Sequence, residues 1–138
     1  MALSGAGIRL DWRAVARGAA AYLAIALPCA LLIALTHGND NTGQESNLWV
    51  LAAVLVILVA PLVGGAVAAT AQPRAPLSHG AAAVGLPAGA YLLVRIVAGA
   101  VEGSLTGAQV ASFVLFLMVF TGIAVIGAYF AFRRHLRG

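Results

Sequence analysis

The sequence predicts an all-α polytopic membrane protein, with four transmembrane helices in a compact antiparallel bundle. Three observations lead to this fold class: the composition, the length of the apolar runs and the placement of the arginines. The 138-residue chain is 62% hydrophobic and 9% charged, and its mean hydropathy is +1.00. A soluble domain is about one quarter charged, so this chain has too few charges to cover a water-facing surface. The composition argues against an ordinary cytoplasmic enzyme, a disordered tail and a nucleic-acid-binding protein.

Four apolar runs reach the length of about 20 residues that a helix needs to cross a hydrocarbon core of about 30 Å. None alternates between apolar and polar residues as a membrane barrel strand would. We expect a single transmembrane domain over residues 1–138, with spans at about 14–36, 48–71, 80–101 and 110–132.

The first run begins after Asp11, whose side chain is a good helix N-cap. Trp12 follows and is typical of a membrane interface. The apolar stretch is longer than the 7–15 residues of a signal-peptide core, so we interpret it as a retained span. This run also contains Cys29. Because Cys29 is the single cysteine of the chain, an internal disulfide is excluded.

The second and third runs contain small residues at a spacing of four. Gly65 and Ala69 form one such pair, and Gly85 and Gly89 form a G-x-x-x-G motif. Lipid provides no hydrophobic drive for helices to associate, so small residues favour association by close packing. We expect these four residues to pack helices within the bundle; a homodimer face is the alternative.

The third run also carries Arg95, the only charge well inside a span. Tyr91 and Glu102 lie near the same helical face, so the three residues form a polar stripe. One interpretation is an outward-facing cavity in which Arg95 binds an anion, a lipid headgroup or a partner's carboxylate. The other is that Arg95 extends to the headgroups and pairs with Glu102, Asp40 or Glu45.

The fourth run contains a stripe of phenylalanines, Phe113, Phe116 and Phe120, which we interpret as packing or lipid contact. No paired carboxylates, nucleophile–histidine pair or phosphate-binding loop accompanies the spans. The three histidines, His37, His79 and His135, fall at span boundaries, where interfacial roles are expected. We therefore expect no enzymatic activity, no cofactor and no metal, with membrane lipids as partners and no nucleic acid.

Arginine placement predicts the orientation, because cytoplasmic loops are enriched in positive charge. Seven of the eight arginines flank the uncharged stretches on one side: Arg9, Arg13 and Arg17 precede residue 18, Arg74 lies between the second and third runs, and Arg133, Arg134 and Arg137 follow the fourth. The other two loops carry Asp40, Glu45 and Glu102 instead. Both termini are therefore expected on the cytoplasmic side.

The segment Asp11-Trp12-Arg13-Ala14-Val15, the alanine-rich spans and the arginine-rich tail together resemble uncharacterised small four-helix membrane proteins of high-GC Gram-positive bacteria. The resemblance covers the whole chain. It implies a location in the bacterial cytoplasmic (inner) membrane and assigns no activity or site residue.

Two functions follow as expectations. The first is a non-enzymatic membrane protein that acts by helix association, as an accessory or scaffolding subunit with a membrane-protein partner or as a homo-oligomer. The alternative is a small oligomeric transporter or channel, with an outward-facing vestibule around Tyr91, Arg95 and Glu102. Spans one, two and four lack the mid-membrane titratable residue that transporters use to couple ions, which favours the first.

Overall fold

Four helices make up the fold in the computed structural model, which describes residues 10–37 and 46–137. Each is long and apolar enough to cross a membrane, as the sequence predicts. The helices are α1 (Trp12–His37), α2 (Ser46–Ala71), α3 (Pro76–Val101) and α4 (Gly107–His135). Arg9, Asp40 and Glu45, which entered the sequence analysis, lie outside the described residues.

The helices extend beyond the apolar runs where local chemistry favours it. α3 begins at Pro76, four residues before the predicted span, because proline fits the first turn of a helix, where its missing N–H is not needed. α4 begins after a capping box. The Gln109 N–H donates to the Thr106 hydroxyl at 3.3 Å, and the Thr106 N–H donates to the Gln109 side chain at 2.8 Å.

Nearby residues also explain where α3 and α4 end at their C-termini. Gly103, with φ of +67°, follows the last turn of α3 and lets the Ser104 N–H bond to the Gly99 carbonyl at 2.9 Å. The last turn of α4 contains Arg133, Arg134 and His135, and cations there stabilise a helix through its dipole. α4 therefore continues three residues past its apolar run.

α2 and α3 separate the other two helices. Each of α2 and α3 packs against all three other helices, whereas the backbones of α1 and α4 are not adjacent within the described part of the chain. The start of α1 lies beside the end of α2 and the start of α3, because Asp11 bonds to both Gln72 and His79.

The interior consists mainly of alanine and glycine, and most large apolar side chains face outward. Fully buried alanines come from α2, α3 and α4: Ala60, Ala68, Ala83, Ala124 and Ala128. Large exposed residues include Leu31, Leu55, Val94 and Met118. In a bilayer this distribution carries no penalty, because lipid tails are as apolar as leucine, and small interior residues let the helices approach closely.

The closest approach joins α2 to α4, where backbone meets backbone. A Cβ atom at Gly65 would overlap the Ala124 carbonyl, and one at Gly127 would overlap the Leu62 carbonyl. We call these two positions, Gly65 and Gly127, the α2–α4 glycine contact. Ala69, the other small residue of the predicted pair in α2, is also buried, at 2% exposure.

The G-x-x-x-G motif of α3 packs less tightly. A Cβ at Gly85 would lie 3.4 Å from the Thr121 hydroxyl, and one at Gly89 would lie 3.9 Å from a Leu117 methyl group. Both are ordinary van der Waals distances. These glycines face α4 with room for a methyl group, so the tightest packing lies on α2 rather than in the motif.

We predict that Gly65→Ala and Gly127→Ala destabilise the protein, because each new methyl group must displace a neighbouring backbone. The expected loss is about 1–3 kcal/mol of unfolding free energy, as for other overpacked sites. Unfolding in mixed micelles, titrated with a denaturing detergent, measures it.

Gly122→Ala is the matched control, because nothing lies within 4 Å of a Cβ at that position. It should leave stability unchanged or raise it by up to about 1 kcal/mol through helix propensity. Gly89→Ala should behave like this control. Equal losses at all four glycines would contradict the assignment of the tight contact to α2 and α4.

Candidate functional site

The polar stripe predicted on α3 lies on the surface of the bundle. Tyr91 is 63% exposed, and Arg95 and Glu102 are exposed as well. Glu102 caps the end of α3. No ion pair joins Arg95 to a carboxylate among the residues that the structure describes, so the three side chains share a helix face without direct polar contact.

The side chain of Arg95 is therefore free to contact lipid or another protein chain outside the bundle. It lies one helical turn beyond Tyr91 and seven residues before Glu102, or about 10 Å of helix rise from the end of α3. A side chain at this depth reaches the headgroup region by extending along the helix. There it can bind a lipid phosphate or the carboxylate of another chain.

A cavity of about 380 Å³ opens beside the stripe, between α1, α3 and α4, with Ile57 of α2 also in its lining. It forms where the backbones of α1 and α4 remain apart. Its wall includes Tyr91 of α3 but neither Arg95 nor Glu102. The phenylalanine stripe of α4 forms another wall: Phe113, Phe116 and Phe120. We call this space the aromatic cavity.

A second group of polar side chains, which we call the polar cluster, consists of Asp11, Gln72 and His79. His79 is fully buried. The Asp11 N–H donates to its Nε2 at 2.8 Å, and its Nδ1 lies 2.7 Å from the Ala75 carbonyl oxygen. Since the first bond needs an acceptor at Nε2, the ring proton lies on Nδ1 and is donated to Ala75.

The carboxylate of Asp11 completes the polar cluster. One oxygen accepts the Arg13 N–H at 2.9 Å, which confirms Asp11 as the N-cap of α1. The other oxygen lies 3.4 Å from the Gln72 side-chain nitrogen, which donates to it. The start of α1, the end of α2 and the start of α3 are thus joined by hydrogen bonds, and the role of this cluster is structural.

The burial of His79 differs from the interfacial position expected from the sequence. The cause is the next residue: a Cβ at Gly80 would lie 2.6 Å from the Ala128 Cβ, so the first turns of α3 pack directly on α4. Asp11 and His79 are 68 positions apart, and no spacing pattern signals their contact. In α4 the Ser112 hydroxyl donates to the Ala108 carbonyl of its own helix at 2.9 Å.

Cys29 is a free, half-buried thiol in α1. Within the described ranges, no group of three or more histidine, cysteine, aspartate or glutamate residues is placed to hold a metal ion. The chemistry that the described residues offer is hydrogen bonding at the polar cluster, a cation at Arg95 and an apolar cavity.

Comparisons with protein-family models, with curated proteins and with solved structures find no match to this chain. Function must therefore be argued from its own residues.

We predict that His79→Ala destabilises the protein by about 1–3 kcal/mol, because the partly buried Asp11 N–H loses its acceptor. His135→Ala is the control, since His135 is exposed at the end of α4. Unfolding in mixed micelles compares the two. Nitrogen NMR of labelled histidine should show a His79 ring with its proton on Nδ1; a proton on Nε2 would contradict the polar cluster.

Proposed function

We propose that this chain is a non-enzymatic, multi-pass protein of the bacterial cytoplasmic membrane that acts by helix association. It serves as an accessory or scaffolding subunit, or assembles with copies of itself. The observation that carries the proposal is Arg95, an exposed cation within a span, with no carboxylate partner in the described part of the chain.

An arginine in a transmembrane helix is costly, at about 2.5–3.5 kcal/mol when it lies near the centre of the span. Arg95 lies off centre, so its cost is lower, but no side chain described in its own bundle offsets it. A carboxylate from another chain offsets that cost, and the paired charges then favour association. Lipid phosphate is the competing partner.

The arrangement of the other charges supports an orientation with both termini in the cytoplasm. Arg13 and Arg17 begin α1, Arg74 follows α2, and Arg133 and Arg134 end α4; all are exposed. The segment containing Arg74 lines the same surface cleft as Tyr129 and Phe132 near the end of α4. With adjacent spans antiparallel and arginines inside, Arg95 belongs to the outer half of the membrane.

The alternative is a small oligomeric transporter or channel. Within one bundle, the glycines and alanines around Gly18, Gly64 and Gly65 close the interior, so a path for solute would have to run between chains. Tyr91, Arg95 and Glu102 would line such a path if α3 faced it. Flux into liposomes that falls with Arg95→Ala and Glu102→Ala would favour this function over association alone.

We predict that Arg95→Leu reduces the associated fraction several-fold, because the cation that attracts the partner is lost. Arg95→Lys should retain most of it. Val94→Leu is the matched control, an exposed neighbour without charge. Native mass spectrometry of protein extracted gently from its own membrane measures the complexes.

A second polypeptide in fixed stoichiometry would support the accessory subunit, and a discrete homo-oligomer would support self-assembly. An unchanged complex in Arg95→Leu would contradict the role of Arg95. A monomer carrying only lipid in the wild type would contradict the proposal as a whole.

A further inference from the structure

The aromatic cavity contains a hydrogen-bonding group that the bundle itself does not satisfy. Tyr22 of α1 is only 6% exposed and lines the cavity. Its hydroxyl has no hydrogen-bond partner among the residues described. Among the described residues no sealed side-chain nitrogen or oxygen lacks a partner, so the Tyr22 hydroxyl is accessible and not enclosed by the bundle.

In a bilayer a hydroxyl that opens only to an apolar cavity is unfavourable, because lipid tails replace water there and offer no acceptor. An alanine or phenylalanine at this position would avoid that cost. A molecule in the cavity that carries an oxygen acceptor removes it, because the hydroxyl then donates to that oxygen.

The walls of the cavity favour a ring-shaped occupant. The space of about 380 Å³ lies within the range of small-molecule sites, which are mostly apolar with a few polar groups. Phe116 and Phe120 meet edge to face, with centroids 6.1 Å apart and planes at 78°. Together with Phe113 and Tyr91 they offer aromatic surfaces against which a flat ring can pack.

A lipid acyl chain fits these features less well. Tyr22 is ten residues from the first residue of α1, or about 15 Å along the helix, so it lies deep in the span. The ester oxygens of a lipid remain near the headgroups, and the tail at this depth has no acceptor. An acyl chain would fill the space and leave the hydroxyl unpaired.

We propose that the aromatic cavity binds a bilayer-soluble aromatic ketone or quinone, whose carbonyl oxygen accepts a hydrogen bond from the Tyr22 hydroxyl. The molecule enters from the lipid phase between α1 and α4, whose backbones are not adjacent. Tyr91, largely exposed, stands at the entrance. This inference is independent of the association proposed for Arg95, which does not line the cavity.

Two probes of nearly the same shape test the proposal: fluorenone, which carries one carbonyl, and fluorene, which carries none. The full chain is placed in lipid nanodiscs, and NMR follows its three tyrosines by isotope-labelled rings. Fluorenone should shift the signals of Tyr22 and Tyr91 saturably and leave Tyr129 unchanged, since Tyr129 lies outside the cavity.

Tyr22→Phe keeps the ring and removes the donor. It should weaken fluorenone binding about three- to tenfold, as expected for one hydrogen bond, and leave fluorene binding unchanged. Tyr129→Phe is the matched control and should alter neither. Ala30→Phe, which adds a ring to the cavity wall, should weaken both probes without removing the Tyr22 hydroxyl.

Equal binding of fluorenone to wild type and to Tyr22→Phe would overturn the proposal, because the hydroxyl would then recognise no oxygen. Absence of saturable shifts at Tyr22 and Tyr91 with either probe would also overturn it, and would indicate a cleft filled by lipid tails.

Discussion

The backbone contact between α2 and α4 at Gly65 and Gly127 is the constraint on which the rest of the bundle depends. Because these residues have no side chain, each helix approaches so closely that a Cβ atom would overlap a carbonyl of the other. Gly18 and Gly64 bring α1 to α2 in a similar way. Lipid gives no hydrophobic reward for burying leucine, so dispersion between closely packed backbones has to hold the helices together.

The close contacts and the polar cluster reinforce one another. Packing of α3 on α4 at Gly80 places His79 inside, and His79 then bonds to the N-cap residue of α1. Farther along the helices the side chains become larger, α1 and α4 remain apart, and the aromatic cavity forms. The same small-residue packing that closes one part of the interior therefore leaves an apolar space in another.

Hydropathy was sufficient to predict the four helices, because a span must satisfy all its backbone hydrogen bonds and remain apolar over a fixed length. The N-cap at Asp11 was predictable for a similar reason, because its side chain bonds to a backbone N–H only two residues away. The tight contact between α2 and α4 was not predictable. Gly65 with Ala69 and Gly85 with Gly89 have the same spacing. Only the rotation of each helix about its axis decides which pair contacts the backbone of a neighbouring helix. The burial of His79 and of Tyr22 depends on partners distant in sequence, which no local pattern reveals.

A double-mutant cycle with Gly65→Ala and Gly127→Ala tests most directly whether one shared contact organises the bundle. Both methyl groups push the same two helices apart, so the second should cost much less unfolding free energy than the first, and the losses should not add. Additive losses would contradict the account, because they would mean that each glycine acts within its own helix and not through the contact between α2 and α4.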